Sequence, residues 1–119
     1  MNGPIHQLAQ QLVTLCRDWK FLEAQSTLLH EEAVNIEADG RITRGQAAIM
    51  AKEKAFLENI ETIHLLEISD PVVADGFFAV QFHSELTIKG MTERRSRNEI
   101  IVYEVQDNKI IREQFFYRF

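Results

Sequence analysis

Five side chains in this sequence are of the types that proton transfer needs: Glu37, His64, Glu99 and Glu113 as candidate acids or bases, and Lys52 as a neighbouring cation. A glutamate carried into an apolar space is costly unless paired. Either its pKa rises until it is a usable acid or base near neutral pH, or a cation neutralises it. Glu99 and Glu113 lie in two late apolar runs. With Tyr103 and Val105 facing inward, the two-residue strand period puts Glu99 and Ile101 on the same side, and Ile111, Glu113, Phe115 and Tyr117 on the inner side of the last run. Lys52 and His64 are the candidate partners of these acids, and Lys52, Phe56, Phe82, Tyr103 and Phe115 are the expected ligand-binding lining. Glu37 carries a conflict, because Val34 and Ile36 are the apolar pair of its strand. Simple alternation then turns Glu37 away from the core unless the strand is bulged.

Plainer readings compete with each of these. A lysine on a helix face usually lays its methylenes on the core and sends its ammonium to water. The glutamates can also sit at a rim with Arg95, Arg97 or Arg112 as solvated partners, an arrangement of little energetic consequence. His64, Glu99 and Glu113 have the ligand types of a two-carboxylate, one-histidine metal site, but no local spacing supports one, and neither a metal nor a cofactor is assigned. Cys16 falls inside an apolar helix stripe and reads as a small core residue rather than a nucleophile.

The elements that must position these residues follow from periodicity. Ile5, Leu8, Leu12, Leu15, Cys16 and Trp19 recur at three and four residues, which predicts a first helix. A second covers Phe21 to Leu29, with His30, Glu31 and Glu32 ending it. Ala33 to Ala38 reads as a strand closed by an Asp39-Gly40 turn. Thr43-Arg44-Gly45-Gln46 has capping-box spacing, so a third helix runs to about Glu58, with Ile49, Lys52 or Glu53, Phe56, Leu57 and Ile60 inward. The remainder is strand: Ile63 to Ile68, Phe77 to Lys89, Arg95 to Val105 and Ile110 to Phe119, joined by turns at Asp75-Gly76 and Asp107-Asn108. Pro71 cannot donate to a ladder, so a bulge or edge is expected beside it. Phe78, Val80, Phe82, Leu86 and Ile88 alternate with polar residues, among them His83 and Glu85 on the wet face. Ile100 to Tyr103 and Phe115 to Tyr117 are apolar on both faces.

The fold class expected is α+β: a curved antiparallel sheet wrapped around two to three helices, a cone with an internal pocket, in one domain spanning residues 1–119. Three helices cover one face of such a sheet, so the other is expected to be buried in a homodimer. A chain of 119 residues with 45% hydrophobic and 26% charged residues has the proportions of a globular protein. A net charge of −5 argues against a nucleic-acid surface, which needs a basic stripe. A single cysteine leaves no internal disulfide to form. No apolar run is long enough to span a bilayer, and the N-terminus has no basic segment followed by an apolar one, so no membrane contact and a cytoplasmic location are expected.

The order of elements resembles the SnoaL-like group of the nuclear-transport-factor-2-like superfamily. It rests on Glu37-Ala38-Asp39-Gly40, Gly45-Gln46-Ala47-Ala48-Ile49 and Phe77-Phe78-Ala79-Val80, and above all on the run from Glu99 to Tyr117. The resemblance implies a cone with a pocket, pairing through the sheet, and activities that include isomerases, cyclases and hydrolases. Ketosteroid-isomerase-like members use a carboxylate base, a tyrosine and a protonated aspartate, which would align with Glu37, Val13 and Ile101. Epoxide-hydrolase-like members use an Asp-Arg-Asp set that would align with Phe82, Ser84 and Phe115. Apolar side chains cannot donate to a developing oxyanion, so neither chemistry transfers intact. Two functions remain: acid–base catalysis on a small, partly apolar substrate, or a non-catalytic dimeric module that binds a ligand or a partner chain. Polar groups in hydrogen-bond reach inside a cavity would favour the first; a cavity filled by Phe56, Phe82 and Phe115 would favour the second.

Overall fold

In the computed structural model, which describes residues 3–118, three helices pack on the concave side of a seven-stranded sheet. Helix α1 (Pro4–Arg17) begins with proline in its first turn, where the missing N–H costs nothing. It buries Leu8, Ala9, Leu12, Val13 and Cys16 against the sheet. Trp19, at φ 64°, supplies the left-handed residue just past its end. Helix α2 (Phe21–Leu28) stops one residue before the expected end, and β1 (Leu29–Ile36) starts at once, so His30, Glu31 and Glu32 are strand residues rather than a helix terminus.

The reason lies in Gln46. Its amide Nε2 donates to the carbonyls of Gln25, Ser26 and Leu29 at 2.9, 3.1 and 3.2 Å, which satisfies backbone acceptors at the α2–β1 junction. The expected capping box therefore does not form. Gly45, at φ 95°, stands at the N-cap of α3 (Gln46–Glu58), and the Thr43 hydroxyl is taken by Lys52 instead. Thr43 itself lies in β2 (Ile42–Arg44), a short strand hairpinned onto β1.

The remaining strands are β3 (Ile60–Ile68), β4 (Val72–Ala74), β5 (Phe77–Ile88), β6 (Arg94–Gln106) and β7 (Lys109–Phe116). Their order is β2-β1-β7-β6-β5-β3, with β4 also paired to β5. Pro71 falls between β3 and β4, the break expected of a residue that cannot donate. The sheet departs from the antiparallel expectation at one joint: β1 runs parallel to β7, so the sheet is mixed. Asp107 and Asn108, at φ 52° and 60°, form the tight turn between β6 and β7.

Bulges decide which residues face the hollow. In the β3–β5 ladder the register shifts between Ile63 and Leu65, which leaves His64 as the extra residue. In the β6–β7 ladder Glu104 faces Arg112 and Val105 faces Ile110, so Ile111 is the extra one. Ile110 is consequently buried and Ile111 is not, correcting the inward placement expected of Ile111. Within the core Phe78 and Tyr103 stack with centroids 4.6 Å apart.

Candidate functional site

Between the helices and the concave face lies a cavity of about 400 Å³, a size usual for small-ligand sites. Phe56, Phe82 and Phe115 line it without filling it. Glu37, Lys52, Glu99, Tyr103 and Glu113 all line it as well, so those expected site residues are brought together. His64 is not. It is exposed on the outer face, where its Nε2 lies 2.7 Å from the Thr87 hydroxyl and its Nδ1 3.1 Å from an Arg94 guanidinium nitrogen. The bulge at His64 turns it away from the cavity, and its assignment as a catalytic residue is corrected on that ground.

Glu37 faces inward, because the alternation of its strand runs opposite to the one that the apolar pair Val34 and Ile36 implied. The core face of β1 carries Ala33 and Asn35, both buried, and Val34 and Ile36 lie half-buried on the other side. Asn35, which sequence reasoning passed over, is central. Its Nδ2 donates to Glu113 Oε1 at 2.8 Å, and its Oδ1 accepts from Lys52 Nζ at 2.5 Å. Lys52 Nζ also donates to Glu37 Oε1 at 2.7 Å and to Thr43 Oγ1 at 3.0 Å. An ammonium has three N–H groups, and all three are used. Lys52 thus acts as the fixed positive pole of a Glu113–Asn35–Lys52–Glu37 chain rather than as a free hand for a ligand. The strand pairing of Asn35 with Thr43 puts both acceptors on the side that α3 covers.

The acids differ in their surroundings. Glu113 is buried, and burial is the main reason its pKa is pushed up to about 7, with Asn35 and Lys52 opposing the rise and Glu53 and Glu37 adding to it. Glu99 also rises to about 7, again chiefly through burial, with Arg97 pulling down and Glu37 and Glu53 pushing up. Its Oε2 is buried and has no hydrogen-bond partner; the nearest cation, the Arg97 guanidinium, stands 3.9 Å away. Glu53, the alternative inward residue of α3, lines the cavity too, and burial raises its pKa. Burial holds the Tyr103 phenol protonated well beyond its ordinary range, aided by the charge of Glu113. It holds the Cys16 thiol up at about 12, so Cys16 is no nucleophile. Among the described residues no three His, Cys, Asp or Glu side chains gather as a metal-ligand set. No described helix is long and apolar enough to cross a membrane.

A SnoaL-like domain model matches residues 4–117. A candidate SnoaL-like polyketide cyclase from Mesorhizobium loti superposes with a TM-score of 0.88 at 27% identity, covering 95% of this chain and 98% of that one. Another from Jannaschia sp. CCS1 gives 0.80 at 12% identity, over 98% of this chain and 90% of the other. AclR, a candidate hydroxylase from Streptomyces galilaeus, gives 0.72 at 13% identity over 94% and 86%. No curated protein matches the sequence.

Proposed function

The chain belongs to the SnoaL-like domain family, and on that premise we propose that it binds a small, partly apolar molecule in its cone and moves a proton on it. Glu99 is the acid–base group of this reading. The observation that carries it is that Glu99 lines the cavity while its Oε2 is buried with no hydrogen-bond partner, so the ionised carboxylate is poorly solvated. A carboxyl with a pKa near 7 is populated in both forms at neutral pH, which suits it to take a proton in one step and return it in the next. The substrate fitted to this role has a carbonyl with an adjacent C–H bond. Removing that proton gives an enolate, whose oxygen can accept from the protonated Tyr103 hydroxyl while the positive charge of Lys52 stabilises its negative charge. The cyclase assignment of the Mesorhizobium loti protein fits the same first step, because an intramolecular carbonyl condensation starts with an enolate.

The test uses small aryl ketones and lactones, with 2-tetralone as the first probe. Thermal shift identifies binders, and NMR in D₂O follows exchange of the proton beside the carbonyl. Glu99→Gln is expected to keep binding and lose roughly a hundredfold in exchange, the usual scale for a general base. Exchange unchanged in that variant would remove Glu99 from the role. Binding without any exchange would favour the non-catalytic module.

A further inference from the structure

Resting on the reading of the cavity as a small-molecule site, we infer that its ligand is an amphipathic anion, with a carboxylate held at the mouth by Arg95 and Arg97 and an uncharged apolar body inside. The two arginines stand on the same face of β6 as Glu99, Ile101 and Tyr103, because odd-numbered residues of that strand share the concave side. Down β6 the wall changes character in steps: Arg95 and Arg97 are exposed, Glu99 is half-buried, and Ile101 and Tyr103 are buried. The cone therefore has a cationic rim and an acidic, mostly desolvated interior.

Charge sorts the ligand along this axis. Inside, Glu37 stands beside Lys52, whose three donors are already engaged, and Glu53, Glu99 and Glu113 hold their protons more tightly than exposed glutamates do. A second anion is unwelcome there. At the rim Arg95 has no ion pair or side-chain hydrogen bond among the described residues, although the chain as a whole carries a net charge of −5. Arg97 lies with its guanidinium 4.3 Å over the Tyr117 ring and only loosely paired to Glu99, so its planar fork is held at the mouth with donors to spare. Arg94, one residue along, points to the outer face and is already spent on Glu85 and His64. The apolar surface between rim and floor comes from Leu57, Ile60, Ile63 and Leu86. Strand rise sets the length: two to four residues separate Glu99 from the arginines, so the anion sits roughly 7 to 13 Å from the reacting carbon.

The experiment compares benzoate, 4-phenylbutanoate and 8-phenyloctanoate with their primary amides, by calorimetry at pH 7.5 on the intact protein. The carboxylate of at least one length is expected to bind roughly tenfold tighter than its amide, the sum of two partly exposed ion pairs. In Arg95→Gln/Arg97→Gln that preference falls to near unity while amide binding stays; Arg94→Gln/Arg112→Gln, which removes an equal charge from the outer face, leaves it intact. Raising salt on the unmodified protein shrinks the preference, a second readout should the double variant fold poorly. Equal binding of acids and amides, or a preference that survives the double variant or high salt, overturns the anion assignment and leaves the cavity reading standing. No binding by any member overturns both.

Discussion

Glu113 shows how one side chain ties stability to pH. In the fold it keeps its proton to about pH 7, whereas an unfolded glutamate loses it near its ordinary value of 4.5. Between those values the native state binds more protons than the unfolded one, so its contribution is complete below about 4.5, declines through the window and levels off above about 7. The ceiling on that decline is roughly 3 kcal/mol for this one group. Glu113→Gln keeps an acceptor for Asn35 Nδ2 and removes the titration, so urea melts from pH 5 to 8.5 should show a flatter profile and a gain at the alkaline end. An unchanged slope would mean that the carboxyl is better solvated than its surroundings imply. Glu99, Tyr103 and Glu113 were legible from the two-residue period because β6 and the end of β7 keep it. His64 and Ile111 were not, because each is a bulged residue and nothing in the local sequence marks a bulge. Asn35 escaped because it sits between Val34 and Ile36, whose apolar character pointed to the wrong face. The signal that could have found it is Lys52, a cation on an inward helix face that needed buried acceptors.

At the scale of elements, the type and order of the helices and long strands followed from periodicity, turn residues and Pro71. The junctions did not, since side chains far away in sequence settle them. Gln46 is the clearest case: a residue that looks like the second half of a cap for its own helix instead binds three carbonyls at the end of another. Gln46→Ala leaves those acceptors without their donor, and a loss of about 1–2 kcal/mol in chemical denaturation is expected, larger than an ordinary helix-surface alanine substitution gives. A change within a few tenths of a kcal/mol would show that water replaces the amide. The parallel β1–β7 pairing was likewise invisible, because it joins strands from opposite ends of the chain. It matters to the site, for it sets Asn35 opposite Glu113.

For the molecule as a whole, the convex side of the sheet keeps Ile42, Phe77, Ile100 and Phe116 substantially exposed. A face of this kind is expected to pair with a second copy, and sedimentation should give a dimer that Ile100→Lys/Phe116→Lys converts to a folded monomer. A monomeric wild type at micromolar concentration would contradict that expectation. The concave side carries the central claim, that a hollow lined by desolvated carboxyls keeps them protonated close to physiological pH, where they can exchange protons with a bound molecule. Its most direct measurement is a ¹³C NMR titration of the glutamate side-chain carboxyls in the native protein, with Glu99→Gln and Glu113→Gln used for assignment. Two resonances with midpoints near 7 are predicted, one lost in each variant. If both carboxyls instead titrate near the ordinary glutamate value of 4.5, the cavity does not hold them protonated near neutral pH and the claim fails.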